Sequence, residues 1–207
     1  MSRLTRIVLG GLAIVALLCP SARAAEGGDP ILAHLEAVSA RVQTLSSDFT
    51  QQKYLAVFKE ALVSRGRFYY RKPDRLRWEL TAPVVSGFAL NGQTGRRWQG
   101  SERSSRCFEL DRDPVMKIVA EQLLAWARAD FPWLRAHYRI RVVGSKPVRL
   151  RLEPLFATGG FLDHLEIRFA PDGSHVQQVE LHEKDGDYTR IRFSDTVVNG
   201  PLADGLF

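Results

Sequence analysis

Hydrophobic and polar residues alternate with a period of two through most of the chain after residue 47. Arginines and glutamates fill many of the polar positions, so each alternating run is typical of a strand with one buried apolar face and one solvent-exposed face. The clearest runs cover residues 75–80, 138–142, 148–153, 164–169 and 189–193. Turn sequences such as Lys72-Pro73-Asp74 and Asn91-Gly92 separate the runs. The pattern predicts an antiparallel meander of short strands.

Two segments have helical periodicity instead. Asp29-Pro30 and Asp113-Pro114 each place an N-cap residue before a proline in the first helical turn. The second signal predicts a helix over residues 115–128. Its apolar residues cover more than the arc of a surface helix, so they need partners on two sides. The first signal opens an apolar stripe that consists of Ile31, Leu32, Leu35, Val38, Val42 and Leu45.

Together these patterns predict an α+β fold. We expect a curled antiparallel sheet of about 10–11 strands that forms an incomplete (half) β-barrel, because a meander of this size must hide its apolar face. The amphipathic helices would cover the open side and enclose an apolar cavity. Neither an internal repeat nor a linker is visible, so residues 25–207 are expected to form a single domain.

The first 24 residues have the features of a signal peptide. Arg3 and Arg6 precede an apolar run over residues 7–18, and Ala22-Arg23-Ala24 supplies small residues before a cleavage site. The run is shorter than the ~20 residues that a membrane-spanning helix needs. We therefore expect export and cleavage after about Ala24. Because three arginines and no acid are lost with the segment, the net charge falls from +6 to +3.

The sequence offers few candidates for catalysis, metal binding or nucleic-acid binding. Residues 65–78 combine arginines with aromatic residues, a composition that could bind single-stranded nucleic acid. Export and a low net charge instead favour the interpretation that these arginines lie on the solvent-exposed face of a sheet. The chain has no nucleophile elbow, phosphate loop or zinc motif, and its five histidines are isolated. Cys107, the single cysteine of the mature chain, has no assignable base. We expect a protein that is not an enzyme, holds no metal or cofactor and binds no nucleic acid.

Large apolar side chains are frequent in the first two thirds of the chain. Each one alone is best explained as part of the core, but the set fits an apolar cavity beneath a two-sided helix. The residues expected to contact an apolar ligand are Phe49, Phe68, Tyr70, Leu76, Trp78, Phe88, Leu90, Trp98, Val119, Leu123 and Trp126.

Three segments resemble the LolA family of periplasmic carriers of outer-membrane lipoproteins. Residues 47–52 (SDFTQQ) are similar to the family strand that follows its first helix. Residues 64–79 (SRGRFYYRKPDRLRWE) resemble its hairpin, and residues 90–98 (LNGQTGRRW) resemble the turn before a family tryptophan. Family members are incomplete barrels with a helical lid. They receive lipoproteins from an inner-membrane ABC transporter complex and deliver them to an outer-membrane acceptor.

The resemblance implies a monomeric periplasmic carrier of acylated lipoproteins, and it also assigns a lid latch. In the family, an arginine just before the hairpin proline hydrogen-bonds to the backbone of a lid helix. Here that position is Lys72, with Arg71 one place earlier. Leu76 stands where the family has a bulky apolar residue at the cavity mouth, and Trp78 matches the family tryptophan.

Departures from the family pattern keep other functions open. The same fold could carry a non-protein lipid, such as a glycolipid or a polyene-type lipid. A lipid-sensing periplasmic module would instead need a fixed protein partner. An exported hydrolase would need a nucleophile and a base within reach, and the sequence offers no recognisable pair.

Overall fold

The computed structural model describes residues 29–156 and 161–207, and these residues form one curled antiparallel sheet with three helices. The expected signal peptide, residues 1–24, and its cleavage site lie outside the described residues. The strands are β1 (Thr44–Tyr54), β2 (Leu62–Arg71), β3 (Arg75–Ala82), β4 (Ser86–Asn91), β5 (Thr94–Gln99), β6 (Arg106–Glu109), β7 (Tyr138–Ser145), β8 (Val148–Pro154), β9 (Leu162–Phe169), β10 (Val176–Glu183) and β11 (Tyr188–Val198). The helices are α1 (Pro30–Ser39), α2 (Pro114–Arg128) and α3 (Phe131–His137).

The sheet is an open half-barrel. Its strands follow the order β6-β5-β4-β3-β2-β1-β11-β10-β9-β8-β7, so the chain's first and last strands meet in the middle of the sheet. β6 and β7 form the two edges. Hairpin connections join β1 to β6 and β7 to β11 in succession, whereas α2 and α3 connect the edge strand β6 to the opposite edge strand β7. The predicted α+β half-barrel of 10–11 strands is confirmed.

α1 begins at the predicted proline but ends before its apolar stripe does. A carboxylate oxygen of Asp29 accepts a hydrogen bond from the Ile31 N–H at 2.9 Å, which is the capping contact that the sequence indicated. The helix ends at Ser39, and Leu45 already lies in β1. Val42 and Leu45 are nevertheless buried. The buried apolar residues of α1 pack in one hydrophobic cluster and Val42 and Leu45 pack in another, so the continued spacing does not reflect a longer helix.

α3 is the element that the sequence did not predict. It has seven residues, too few to show a helical period, and it follows α2 after two residues. Ala129 lies between the helices in the left-handed conformation, with φ of 46°, and ends α2. Asp130 caps α3 by accepting from the Trp133 N–H at 3.1 Å.

Two hydrophobic clusters line the concave side of the sheet beneath the helices. The first lies over β1 to β4, and the second lies over β8 to β10. α2 contributes to both, since Ala120 and Leu124 pack in the first cluster while Ala125 and Trp126 pack in the second. α2 therefore covers the middle of the half-barrel.

One face of α2 points away from the sheet. Val115 is 70% exposed and Ile118 is 62% exposed, whereas Met116 and Ala120 on the other side are buried. The sequence predicted apolar partners on two sides of this helix, and the second partner is not found among the described residues. Over residues 29–156 and 161–207, no helix combines the length and hydropathy needed to cross a membrane.

Candidate functional site

Most of the predicted ligand-binding residues meet on the concave face of the sheet. Cross-strand pairing places Phe68 opposite Trp78 and Trp78 opposite Phe88, which aligns three aromatic side chains across β2, β3 and β4. Phe49 stacks on Trp78 with ring centroids 4.1 Å apart. A second row beside the first consists of Tyr70, Leu76 and Leu90.

A small pocket lies between the aromatic row and the helices. Its volume is about 30 Å³, which is room for one or two water molecules. An acyl chain therefore fits only if the covering helices move away from the sheet. The lining residues are Leu45, Ser47, Phe68, Trp78, Leu123, Trp126, Ala127, His175, Val176, Phe193 and Thr196.

A larger cleft of about 690 Å³ adjoins this pocket at Trp78, which lines both. The cleft lies between β3 to β5 and the start of α2. Trp78, Leu80, Phe88 and Met116 form its apolar wall. Its size falls within the range of small-molecule sites. Pocket and cleft together form one concave site that begins under the helices and opens at the rim of the sheet.

Trp98 lines the cleft from the convex side of the sheet, and Val119 lines neither the pocket nor the cleft. Trp98 pairs with Gly87 on the convex face, where the Arg77 guanidinium carbon lies 4.8 Å from its ring centroid. On β5 the residues that face the concave side are Gly95 and Arg97, so Trp98, the next residue, faces the convex side. Val119 is 37% exposed on the outer side of α2.

A pair of buried hydroxyl groups interrupts the apolar lining, and sequence reasoning missed it. Ser47 Oγ and Thr196 Oγ1 are 2.8 Å apart, and Ser47 Oγ also donates to the Ser194 carbonyl at 2.9 Å. Thr196 faces inwards because a β-bulge lies opposite Ser47, with Asp195 in the left-handed conformation at φ of 52°. A bulge of this kind shifts the alternation of side chains and has no clear signature in the sequence.

Trp126 and His175 add two more polar groups to the pocket wall. Trp126 Nε1–H is buried and has no hydrogen-bond partner among the described residues. His175 is half-buried beside Ser174, and burial lowers the pKa of its imidazole although the Asp172 carboxylate opposes the shift. His175 Nδ1 already shares a hydrogen bond with Ser174 Oγ at 2.8 Å, so the Trp126 Nε1–H is the unpaired group of the two.

The β2–β3 hairpin contacts the ends of two helices. Lys72 Nζ donates to the Ala40 carbonyl at the C-terminal end of α1, at 3.0 Å. Arg128 near the end of α2 donates to the Pro73 carbonyl at 3.4 Å. Arg71 instead lies on the other face, where it donates to the Leu202 carbonyl at 2.8 Å. Of the two expected latch residues, only Lys72 thus contacts helix backbone.

Tyr70 lies beneath this hairpin contact. Its side chain is 1% exposed, and burial raises the pKa of its phenol to about 12. The Arg128 guanidinium lowers the pKa and the Asp74 carboxylate raises it. The hydroxyl is buried and has no hydrogen-bond partner among the described residues. It stays neutral at physiological pH.

Among the described residues, two stacked histidines, a cysteine and a cluster of acids lie outside the pocket and the cleft. His164 is buried and stacks on His182 with ring centroids 4.3 Å apart, so these two histidines, isolated in the sequence, are neighbours in the fold. Cys107 is exposed on the edge strand β6. In the β10–β11 turn, carboxylate oxygens of Glu183, Asp185 and Asp187 lie within 4.8 Å of one another. Exposed acids are common in such turns, and nothing else there indicates a metal ion.

Comparison with known proteins decides the family. A family model described as outer membrane lipoprotein carrier protein LolA matches residues 40–207. The chain belongs to the LolA family. It is also 23% identical over 216 residues to an outer-membrane lipoprotein carrier protein of Bordetella avium, with 99% of this chain and 94% of that protein covered. LolA family members are carrier proteins.

One solved structure, that of MucB, shares the fold of this LolA-family chain, and two others are similar at lower scores. MucB is similar with a TM-score of 0.51 at 16% identity, over 84% of this chain and 60% of MucB. A LolA superfamily protein from Nitrosomonas europaea has a TM-score of 0.47 at 10% identity, over 84% of this chain and 94% of that chain. The lipoprotein LppX of Mycobacterium tuberculosis has a TM-score of 0.47 at 11% identity, with 85% and 99% covered.

Proposed function

We propose that this protein is a periplasmic carrier that shields the acyl chains of lipoproteins and moves them from the inner to the outer membrane. An inner-membrane ABC transporter complex would donate the cargo and an outer-membrane lipoprotein acceptor would receive it. The expected signal peptide supports the location. The protein would act as a monomer and would not catalyse a reaction.

The observation that carries the proposal is the aromatic row Phe68, Trp78 and Phe88 on the concave face beneath α2. Each acyl CH₂ group hidden from water contributes about 0.8 kcal/mol, so free acyl chains do not cross an aqueous compartment unaided. A concave apolar site that opens at the sheet rim can hide such chains. Because its inner pocket holds only about 30 Å³, loading requires the helices to lift.

Release of lipoproteins from membranes tests this function. Spheroplasts of the source organism would be incubated with purified protein, and the soluble fraction would be analysed for acylated lipoproteins. We expect the wild-type protein to recover them in a one-to-one soluble complex. Lipoproteins that stay in the membrane fraction at every protein concentration would contradict the proposal.

A second candidate cargo is a lipid that is not attached to a protein. The observation that favours it is the presence of Arg97 and Arg106 at the opening of the apolar cleft, where a charged headgroup could lie. In the spheroplast experiment, this cargo would appear as extractable lipid in the soluble complex without lipoprotein.

A further inference from the structure

Two arginines continue the aromatic row towards the edge of the sheet. Phe88 on β4 is paired with Arg97 on β5, and Arg97 is paired with Arg106 on β6. The full row therefore runs from Phe68 and Trp78 through Phe88 to two cations. Neighbouring strands are about 4.8 Å apart, so the row spans roughly 19 Å from Phe68 to Arg106.

Both arginines lie at the same cleft as the aromatic wall. Arg97 and Arg106 line the cleft together with Trp78, Phe88 and Met116, and they are the charged residues among the described side chains that line it. Both are exposed to solvent at its opening. An apolar groove that ends in two cations has the shape and charge of a site for an amphipathic anion.

The arginine pair is incompletely neutralised by the protein. Arg97 forms an ion pair with Asp113 at 2.8 Å, and the same Asp113 caps α2 through the Met116 N–H. No acid within ion-pair distance of Arg106 is found among the described residues. Like charges directly opposite each other on adjacent strands destabilise a sheet. A ligand that brings negative charge to Arg106 would relieve this repulsion.

We infer that the cleft selects cargo by headgroup charge and binds lipids with an anionic phosphate headgroup in preference to zwitterionic or neutral ones. The acyl chains lie along Phe68, Trp78 and Phe88, and the phosphate lies at Arg97 and Arg106. Arginine suits phosphate because its planar guanidinium offers several donors in a fixed geometry. This inference rests on the proposed function, since it assumes that the concave site holds acyl chains.

Matched short-chain lipids test the inference. Binding of dioctanoyl phosphatidylglycerol and dioctanoyl phosphatidylcholine, both kept monomeric, would be measured by isothermal titration calorimetry. We expect the wild-type protein to bind the anionic lipid about three- to tenfold more tightly, since the arginines are solvent-exposed. Arg106→Gln should bring the ratio close to one and leave the affinity for phosphatidylcholine unchanged.

Arg192→Gln provides the matched control, because Arg192 is an exposed arginine on the convex face of β11. It should keep the wild-type ratio although it removes the same charge. Equal affinity of the wild-type protein for both lipids, or a ratio that Arg106→Gln does not change, would overturn the inference while leaving acyl binding established. Failure of both lipids to bind would overturn the inference, whereas the release of lipoproteins from spheroplasts decides the proposed function separately.

Inorganic phosphate distinguishes a lipid headgroup from a free anion. Phosphate has no acyl chains to bury, so it should bind more weakly than dioctanoyl phosphatidylglycerol by at least the contribution of roughly three buried CH₂ groups. It should therefore compete with the lipid only at concentrations on the order of a hundredfold higher. Competition at equal concentrations would show that the arginines bind free phosphate, which would overturn the assignment to a lipid.

Discussion

Trp78 lies where the inner pocket and the outer cleft meet. Its indole stacks on Phe49 and packs edge-to-face against Phe68, with ring centroids 4.1 and 6.0 Å away. Leu76, two residues earlier, is fully buried in the first hydrophobic cluster. A change at Trp78 therefore alters the surface that a ligand meets, whereas a change at Leu76 alters the folded core.

Trp78→Glu should reduce acyl-chain binding by more than tenfold, because the carboxylate would lose its hydration when a chain covers it. Fluorescence titration with a labelled fatty acid would measure the loss. Tyr54→Glu is the control, since Tyr54 is a half-exposed aromatic residue stacked on Tyr188 at 4.3 Å outside pocket and cleft. Unchanged binding by Trp78→Glu would remove Trp78 from the site. Leu76→Glu would not test ligand binding, because a buried unpaired carboxylate costs several kcal/mol and would unfold a marginally stable domain.

At the scale of elements, the β2–β3 hairpin connects sheet and helices. Its hydrogen bond from Lys72 to the Ala40 carbonyl joins the hairpin to the C-terminal end of α1. We expect this contact to break when the helices lift from the sheet to admit cargo. Its loss should shift the population towards the open arrangement, which can hold cargo.

Lys72→Leu should therefore slow cargo release about two- to fivefold, since an intramolecular hydrogen bond contributes about 0.5–1 kcal/mol. Stopped-flow displacement of a labelled fatty acid would measure the rate. Arg71→Leu should release at the wild-type rate, because Arg71 contacts the Leu202 carbonyl and the Phe207 ring on the convex side. Slow release from Arg71→Leu alone would show that the helix contact at Lys72 does not control the lid.

The β9–β10 turn makes folding stability depend on pH. Burial lowers the pKa of His175, so between its folded pKa and the ordinary value of 6.5 the unfolded chain binds more protons than the folded one. Stability should consequently fall as the pH falls from 7 to 5. Asp172, whose pKa is lowered by hydrogen bonds from Ser174, contributes only as the pH falls below its ordinary value of 3.8.

His175→Gln should flatten this decline, which urea unfolding at pH 7, 6 and 5 would measure. His34→Gln, a change at an exposed position on α1, should keep the wild-type slope. An identical slope for His175→Gln and the wild-type protein would show that other groups cause the decline.

The frequency of large apolar side chains, rather than alternation, led the sequence analysis to group Phe68, Trp78 and Phe88. Regular strands joined by short turns bring these three side chains together on one face. The sequence could not show that Trp98 reaches the cleft from the convex side, since the inward positions of β5 follow from cross-strand pairing that only the folded sheet fixes. Thr196 was missed because the bulge at Asp195 changes which side chains face inwards.

At the scale of the whole molecule, the open sheet allows the site to change size. The unpaired edges β6 and β7 let the half-barrel widen without breaking a closed ring of hydrogen bonds. The helices rest on the concave side through apolar packing and the hairpin contacts. A carrier needs this combination, since it must bury acyl chains and later give them up.

Native mass spectrometry of the protein, isolated from its own periplasm without detergent, tests the central claim most directly. The account predicts one acylated molecule bound to each wild-type chain and none bound to the Trp78→Glu variant. An acylated molecule retained equally by both proteins, or a wild-type protein that stays unloaded when mixed with acylated lipoprotein, would contradict it.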